Sequence, residues 1–445
     1  MDTIVSLAKR RGFVFPSSEI YGGYASFWDY GPLGVELKRN VKDAWWHDIV
    51  RRRQEVVGLE TSIIMSPEVW KSSGHLQNFN DLLVDCRNCK QRFRADHLPH
   101  YEENVQAALP NPLEGIACPN CGAKDQWTAP RPFNTMFKTF VGPVEDAAAT
   151  TYLRPETAQG MFVQFQNVLT SSRQKLPFGI AQVGKAFRNE ITAGNFIFRV
   201  RELEQMELEY FVRPGDDDHW YDYWRNYSME WFTGLGVKAE NLRHREHDRA
   251  SLSHYSKGTT DLEYLFPFGW GELWGVANRT DFDLKAHSTG SGRDLTYYDE
   301  ETKEHITPFV VEPALGVDRA FLVFLLDAYD EEPDKESTRV VLRFHPRLAP
   351  IKVAVLPLSK KEPLASTARE LRDSLSNRLT VDYDETGSIG KRYRRQDETG
   401  TPLCITVDFK SGEDNAVTVR DRDSMQQDRV PLAEVERYIH QKLGI

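Results

Sequence analysis

Long apolar runs are missing from this sequence. No window of 18 or more consecutive apolar residues occurs, which excludes a hydropathy-type membrane helix, and the N-terminal stretch MDTIVSLAKRRGFVFP lacks the apolar run of a signal peptide. The expectation is a soluble, cytoplasmic protein. Cysteine is scarce as well, with five in 445 residues, too few for a disulfide scaffold. Positive charge is in deficit: 56 Lys and Arg face 66 Asp and Glu, a net charge of -10 that argues against sequence-blind coating of nucleic acid. It leaves room for a nucleic acid touched at local patches such as Arg51-Arg52-Arg53 or Lys391-Arg392-Tyr393-Arg394-Arg395. A solvated surface face is the alternative reading of each run. There is no internal repeat, no Walker-type Gly-rich loop and no GxGxxG, so phosphate would not be held as in P-loop or Rossmann proteins.

What is present is the composition of a folded chain, 40% apolar and 11% aromatic, long enough for two or three domains. Four of the five cysteines form the pairs Cys86-x-x-Cys89 and Cys118-x-x-Cys121, separated by 28 residues. Turn residues beside each pair suit two metal-binding knuckles, giving four thiolates for one tetrahedral zinc. Disulfides, or an empty ribbon that has lost its metal, are the alternatives; Cys404, inside the apolar run Leu403 to Val407, reads as core. Leu33, Leu37, Val41, Trp45 and Ile49 recur every four residues from Gly31 to Arg53 and predict a long helix with one apolar stripe. Core packing explains the stripe, and a subunit interface would also suit so long a helix. The pattern breaks from about 71 to 143, around the cysteines, and again in the acidic, aromatic stretch from about 213 to 260, suggesting two insertions. Acidic, Pro-bearing residues from Asp327 to Lys335 read as a linker, with the larger N-terminal part placed at 1–335 and the linker proper at 336–349. From 350 to 445, strands and helices alternate as in a separate α/β sandwich.

The most telling stretch is FRNE, Phe187 to Glu190, followed after a short loop by FRVRELEQMELEYF, Phe198 to Phe211. It reads as two strands of a hairpin with charge on both faces: Leu203, Gln205, Glu207 and Glu209 on one, Glu202, Glu204, Met206 and Leu208 on the other. Buried charge costs several kcal/mol unless paired, so such a sheet reads as a holder of a charged ligand. A ladder of cross-strand ion pairs is the competing account. Arg188, Arg199 or Arg201, and Arg319 at the start of an apolar helix are the positions suited to phosphate oxygens. Carboxylates in the same set suit Mg²⁺ or an ammonium group.

These segments resemble the three motifs of class II aminoacyl-tRNA synthetases: Tyr30-Gly31-Pro32-Leu33-Gly34 with its helix, Phe187 to Glu190 with Arg199 to Glu209, and Gly316-Val317-Asp318-Arg319. Within the class, FNTMFKT (Phe133 to Thr139), RPETAQG (Arg154 to Gly160), ANRTDFDL (Ala277 to Leu284) and VEPALGVDR (Val311 to Arg319) are similar to the dimeric glycyl-tRNA synthetase family. SIGKRYRRQDETGTP (Ser388 to Pro402) resembles its anticodon-binding domain. The resemblance implies an α+β fold: a six-stranded antiparallel catalytic sheet with helices, a zinc-ribbon-like insertion and a C-terminal α/β anticodon-binding domain. It implies a homodimer formed through the first motif, and ATP-dependent attachment of glycine to tRNA(Gly) through glycyl-adenylate. Carried over by position, Arg188, Glu190 and Arg319 would be catalytic. ATP, with Mg²⁺, would meet Arg188, Asn189, Glu190, Phe198, Arg199, Val200, Arg201, Glu202, Leu203, Glu272, Leu273, Gly316, Val317, Asp318 and Arg319. Glycine would meet Arg94, Glu156, Leu203, Glu204, Gln205, Met206, Glu207, Glu312, Pro313, Ala314, Leu315 and Gly316. Two positions depart from the family pattern: Leu203 replaces a Phe that stacks on adenine, and Ala314 replaces a Ser beside glycine. A non-catalytic, nucleic-acid-binding paralogue of the same fold is the rival reading, and another carboxylate-activating ligase a third.

Overall fold

A computed structural model describes residues 1–191, 194–248, 256–334 and 337–444. The predicted helix forms as α1 (Pro32–Trp46) and continues as one wider turn over His47–Arg51. Its stripe residues Leu37, Val41, Trp45 and Ile49 are fully buried. Gly34 lies so close to the backbone that a Cβ there would meet the Phe13 carbonyl oxygen at 1.8 Å, so the first-motif glycine exists to let the helix seat on the N-terminal segment.

The central sheet has seven strands among the described residues, one more than the six antiparallel strands implied by the resemblance. In chain order these are β1 (Val56–Gly58), β2 (Phe178–Phe187), β3 (Glu202–Val212), β4 (Leu242–Glu246), β5 (Gly258–Phe266), β6 (Gly269–Thr280) and β7 (Phe309–Gly316). The spatial order is β4-β5-β6-β7-β3-β2-β1. All pairs are antiparallel except the additional one, β1 beside β2. The charged hairpin is the β2–β3 pair, with Glu207 opposite Gln182. Its second strand begins at Glu202 rather than Phe198, because Asn195 and Phe196 take positive φ and Phe196–Phe198 winds into a single tight turn.

Alternation along β3 assigns the two faces. Met206, Leu208, Tyr210 and Val212 enter the main core with α1 and the all-apolar helix α2 (Val317–Ala328). Phe211, on the opposite face, packs on Phe162, Phe165 and Phe178 in a second cluster. The acidic, aromatic stretch read as an insertion forms the helix Asp217–Gly234. Trp224, Trp231 and Phe232 bury it in the main core, and the strands that follow are members of the central sheet; residues 249–255 of that stretch lie outside the described residues. The acidic residues read as a linker instead pair as Tyr329–Asp334 with Ser337–Leu342, a two-stranded ribbon, with Lys335 and Glu336 outside the described residues. Pro333 is tolerated because a two-stranded ribbon is all edge.

The cysteine-bearing segment carries its own three-stranded sheet, Arg92–Arg94 beside Asn80–Asp85 beside Arg131–Asn134. The C-terminal unit has five strands: β8 (Val353–Pro357), β9 (Val381–Tyr383), β10 (Leu403–Val407), β11 (Ala416–Asp421) and β12 (Gln427–Pro431), in the order β9-β8-β10-β11-β12. The first three are mutually parallel. Cys404 is buried in β10, as read from its apolar run. Among the described residues no helix is long and apolar enough to cross a membrane.

Candidate active site

Opposite the apolar core, the central sheet holds a cavity of about 280 Å³ whose walls come from β3, β5, β6, β7, the start of α2 and the 188–200 connection. Its two ends differ in charge.

Arginines gather at one end. Arg188 is braced by a hydrogen bond from its Nε to the Pro155 carbonyl (2.9 Å), with its guanidinium over Phe79. Arg199 lines the same end, half-buried. Arg319, on the first turn of α2, lies 4.5 Å above the Phe198 ring. It donates to the Phe198 and Glu272 carbonyls (both 3.1 Å) and pairs with the Glu272 carboxylate at 3.0 Å. That pairing holds the Glu272 carboxyl below its ordinary range. Glu190 adds a carboxylate whose Oε2 is buried without a partner. Asp261 and His247 close this end, 2.6 Å apart; burial, with Glu272 nearby, pushes the Asp261 carboxyl up to about 6.

Acids gather at the other end. Glu156, Glu207 and Glu312 line it, all under 10% exposed. Glu207 accepts from the Thr157 N–H at 3.0 Å and from its hydroxyl. Burial, and then the neighbouring carboxylates of Glu312 and Glu156, push Glu207 up to about 8. Burial acts on Glu156 in the same sense, but His75 (3.3 Å) and Arg279 more than offset it, leaving Glu156 well below the carboxylate range. Arg279 is fully buried and is the charge hub of this end, donating to Glu312 at 2.7 Å and in bidentate fashion to Asp283 at 2.7 and 2.9 Å. Gln159 donates to Glu156 and Asp283 (3.0 Å each), and its Oε1 accepts from His287 Nε2 at 2.7 Å. His75, Thr157, Gln159, Arg279, Asp283, His247 and Asp261 escaped sequence reasoning. Arg279 alone carried a local signal: an arginine within the strand GWGELWGVANRT must have a buried partner.

The cavity brings together Arg188, Glu190, Phe198, Arg199, Val200, Leu203, Glu272, Gly316, Asp318 and Arg319 from the ATP set, and Glu156, Leu203, Gln205, Glu207, Glu312, Ala314, Leu315 and Gly316 from the glycine set. The remaining positions point elsewhere for specific reasons. Glu202 pairs with Lys185 (2.9 Å) and Glu204 with Lys42 and Lys38 (2.8 and 3.2 Å), because even-numbered positions of β3 face away from the cavity. Met206, on that same face, and Leu273 and Val317 are core. Pro313 is buried in β7 between its cavity-lining neighbours. Arg201 braces loops, donating to the Glu190 and Ala25 carbonyls. Arg94 is held by Asp81 (3.0 Å) and Asp96 (2.6 Å) outside the lining. Asn189 does not line the cavity either; its backbone N–H bonds the Thr135 carbonyl at 2.7 Å. Asp318 reaches the rim but chiefly joins the three motifs: it accepts from the Tyr30 hydroxyl, from Lys38 (2.9 Å) and from the Glu204 N–H (2.9 Å).

Apart from the cavity, Cys86, Cys89, Cys118 and Cys121 bring their sulfurs within 4.8 Å of one another. The Cys86–Cys121 and Cys89–Cys118 separations are both 3.7 Å. Four sulfurs about 2.3 Å from a central tetrahedral zinc stand about 3.8 Å apart, so the donor set fits that ion.

A sheet of this topology, with arginines on the hairpin and on the helix after β7, defines a class II aminoacyl-tRNA synthetase core. Residues 141–393 match the family described as the tRNA synthetase class II core domain (G, H, P, S and T), and residues 352–442 match the anticodon binding domain. A glycine–tRNA ligase of Streptomyces coelicolor is 56% identical over an alignment covering 100% of this chain and 98% of the relative. The glycine–tRNA ligases of Bifidobacterium longum (58% identical, 100% and 93% covered) and Alkaliphilus oremlandii (57%, 100% and 98%) are similarly near. The chain belongs to the glycine–tRNA ligase family of class II synthetases.

Proposed function

We propose that this protein activates glycine with ATP and transfers it to tRNA(Gly). The observation that carries the reading is the division of a single cavity into a cationic end and a buried three-glutamate end. A triphosphate suits the first, through the bidentate fork of arginine. The smallest amino acid suits the second, its ammonium meeting Glu156, Glu207 and Glu312 and its missing side chain leaving room for those carboxylates. Forcing a methyl group into such packing costs about 1–3 kcal/mol.

In the first step a glycine carboxylate oxygen attacks the α-phosphorus in line, a P–O bond forms, and the bond to the departing pyrophosphate breaks. Charge accumulates on the phosphoryl oxygens, and the free Nη ends of Arg188 stand at the cavity to meet it. Arg319 in the free protein is engaged with Glu272 and Phe198; it would leave those acceptors for the γ-phosphate. Leu203 and Phe198 both line this end, so Phe198 under Arg319 supplies an aromatic surface for adenine although Leu203 cannot. Glu190 and Glu272 are the carboxylates that would hold Mg²⁺, which neutralises phosphate charge when bound. In the second step a terminal ribose hydroxyl of the tRNA attacks the glycyl carbonyl and AMP leaves. Positioning and electrostatics suffice, with no protein nucleophile. The enzyme works in the cytoplasm as a homodimer, and exposed Ile20, Tyr21 and Tyr24 near the first motif support that pairing. A non-catalytic paralogue would have no use for arginines braced at an open cavity.

The test is glycine-dependent ATP–pyrophosphate exchange. Arg188→Ala is expected to abolish it while leaving the fold intact by circular dichroism. Robust exchange in that variant would refute the mechanism.

A further inference from the structure

Behind the glutamate end of the cavity stands a buried histidine to which the proposed chemistry gives no task. His287 lies on the helix Phe282–Ser291 and is 4% exposed. Its Nε2 is 2.7 Å from Oε1 of Gln159, a fully buried residue of the helix Ala158–Val163. Neither residue is among those lining the catalytic cavity. His287 instead borders a second cavity, of about 610 Å³, lined also by exposed Ser66, Glu68 and Arg293. It can therefore influence glycine only through Gln159.

The hydrogen bonds of Gln159 have one consistent assignment. Its Nε2 donates one hydrogen to Glu156 and the other to Asp283, at 3.0 Å each. Ionised carboxylates only accept, so the carbonyl end of the amide faces away from them and takes its donor from His287. Burial, against the charge of Asp283 and with His75 and Arg279 adding to it, holds the imidazole below its ordinary value, which favours the neutral ring with a single N–H. The Gln159 oxygen assigns that hydrogen to Nε2. The consequence reaches two walls of the glycine pocket. Glu156 has Gln159 as one of its fixed partners, and Asp283 orients the Arg279 guanidinium that grips Glu312 at 2.7 Å. Without an N–H from position 287 the Gln159 oxygen would be buried and unpaired, and turning the amide over would set that oxygen against two carboxylates. Either way a buried polar group is left unsatisfied and both acids lose a fixed donor.

We propose that His287 is a positioning residue for glycine selection: its Nε2–H fixes the Gln159 amide, which holds Glu156 directly and Glu312 through Asp283 and Arg279, and so keeps the pocket too small for a methyl group. The inference rests on the glycine-activating function proposed above and names a residue that sets its pocket from outside.

The test is ATP–pyrophosphate exchange by the full chain with glycine or alanine as the amino acid. His287→Leu fills much of the same space but offers no N–H. It is expected to raise the KM for glycine about tenfold or more, to leave the KM for ATP unchanged, and to lower the glycine-over-alanine ratio of kcat/KM by about tenfold. His287→Gln, whose amide N–H can stand where Nε2 stands, is expected to recover most of both losses. His287→Asn is too short to reach Gln159 and should behave as the Leu variant does, which keeps the comparison available if the Leu variant fails to fold. Wild-type glycine KM and discrimination in the Leu and Asn variants overturn the inference while leaving the function standing. An equal rise in both KM values does the same, as does a folded Gln variant no better than the Asn variant. Wild-type protein without glycine-dependent exchange overturns the function and the inference with it.

Discussion

With the glycine ammonium at Glu207, as proposed, this residue links substrate binding to the stability of the free enzyme. Its carboxyl is pushed from an ordinary 4.5 up to about 8, mainly by burial and then by Glu312 and Glu156, against the opposing hydrogen bonds of Thr157 and the charge of Arg279. A carboxyl whose folded value is raised keeps its proton in the native state while the unfolded chain gives it up. The native state therefore has its full relative stability below about pH 4.5 and loses it as pH rises towards 8. Each pH unit in that window costs about 1.4 kcal/mol, so the whole window costs about 4–5 kcal/mol. Glu207→Gln keeps an oxygen acceptor for the Thr157 N–H and hydroxyl but has no proton to lose. In thermal unfolding without glycine, wild type and variant are expected to match near pH 4.5 and to separate as pH rises. At pH 8 the variant should melt higher by on the order of 5 °C. Glycine supplies the ammonium that an ionised Glu207 lacks, so saturating glycine should raise the wild-type midpoint at pH 8 and leave the variant unmoved. A Gln variant equal to or less stable than wild type at pH 8 would show that Glu207 is already ionised in the empty site and would refute the reasoning.

Two further perturbations address the surroundings of that pocket. His75 holds Glu156 from a buried position, with its other ring nitrogen 2.8 Å from the Ser73 hydroxyl. His75→Ala should raise the KM for glycine in the exchange assay about tenfold or more, the worth of a hydrogen bond to a charged group, while leaving the KM for ATP unchanged. His75→Gln should recover part of the loss, and equal effects on both substrates would reduce His75 to a packing residue. Elemental analysis of the purified protein should return about one zinc per chain, and stripping it should lower the melting temperature. Because Asn134, at the end of the cysteine-bearing sheet, donates to the His75 carbonyl at 3.2 Å, the stripped protein should also bind glycine more weakly. Metal-free protein with an unchanged melting temperature and activity would make the four cysteines vestigial.

How far the sequence could be read is clearest in the charged hairpin. Its alternation correctly put Leu203, Gln205, Glu207 and Glu209 on one face and Glu202, Glu204, Met206 and Leu208 on the other, because period two is a property of the strand alone. What covers each face is not local information. A ligand site and a ladder of ion pairs are rival readings of the same charges; the structure puts ion pairs on one face and an open cavity on the other. Glu204 meets Lys38 and Lys42 from a helix more than 150 residues upstream, whereas Glu207 meets Thr157 and an open cavity. The polar hub of Arg279, Asp283, Gln159 and His75 is hidden for the same reason: Arg279 signals a buried partner from its strand, but which residues answer it is set by contacts distant in sequence. Composition shows the acidic face of the helix Asp217–Gly234 but not how it is anchored, which burial of Trp224 and Trp231 in the main core decides.

Glu209 extends this argument. It stands on the cavity-side register of β3, one alternation deeper than Glu207, fully buried, with neither carboxylate oxygen hydrogen-bonded. Burial, with Glu312 as the leading charged neighbour, holds its carboxyl well above the ordinary range. An ionised carboxylate there would add a further negative charge beside Glu207, Glu312 and Asp283, with Arg279 as the main nearby cation opposing it. The hairpin thus grades its acids by depth: Glu202 is exposed and paired with Lys185, Glu207 is buried at the cavity with its carboxyl raised, and Glu209 is buried deeper with its carboxyl raised as well. That gradation lets three or more glutamates share one small pocket without the pocket expelling itself from the fold.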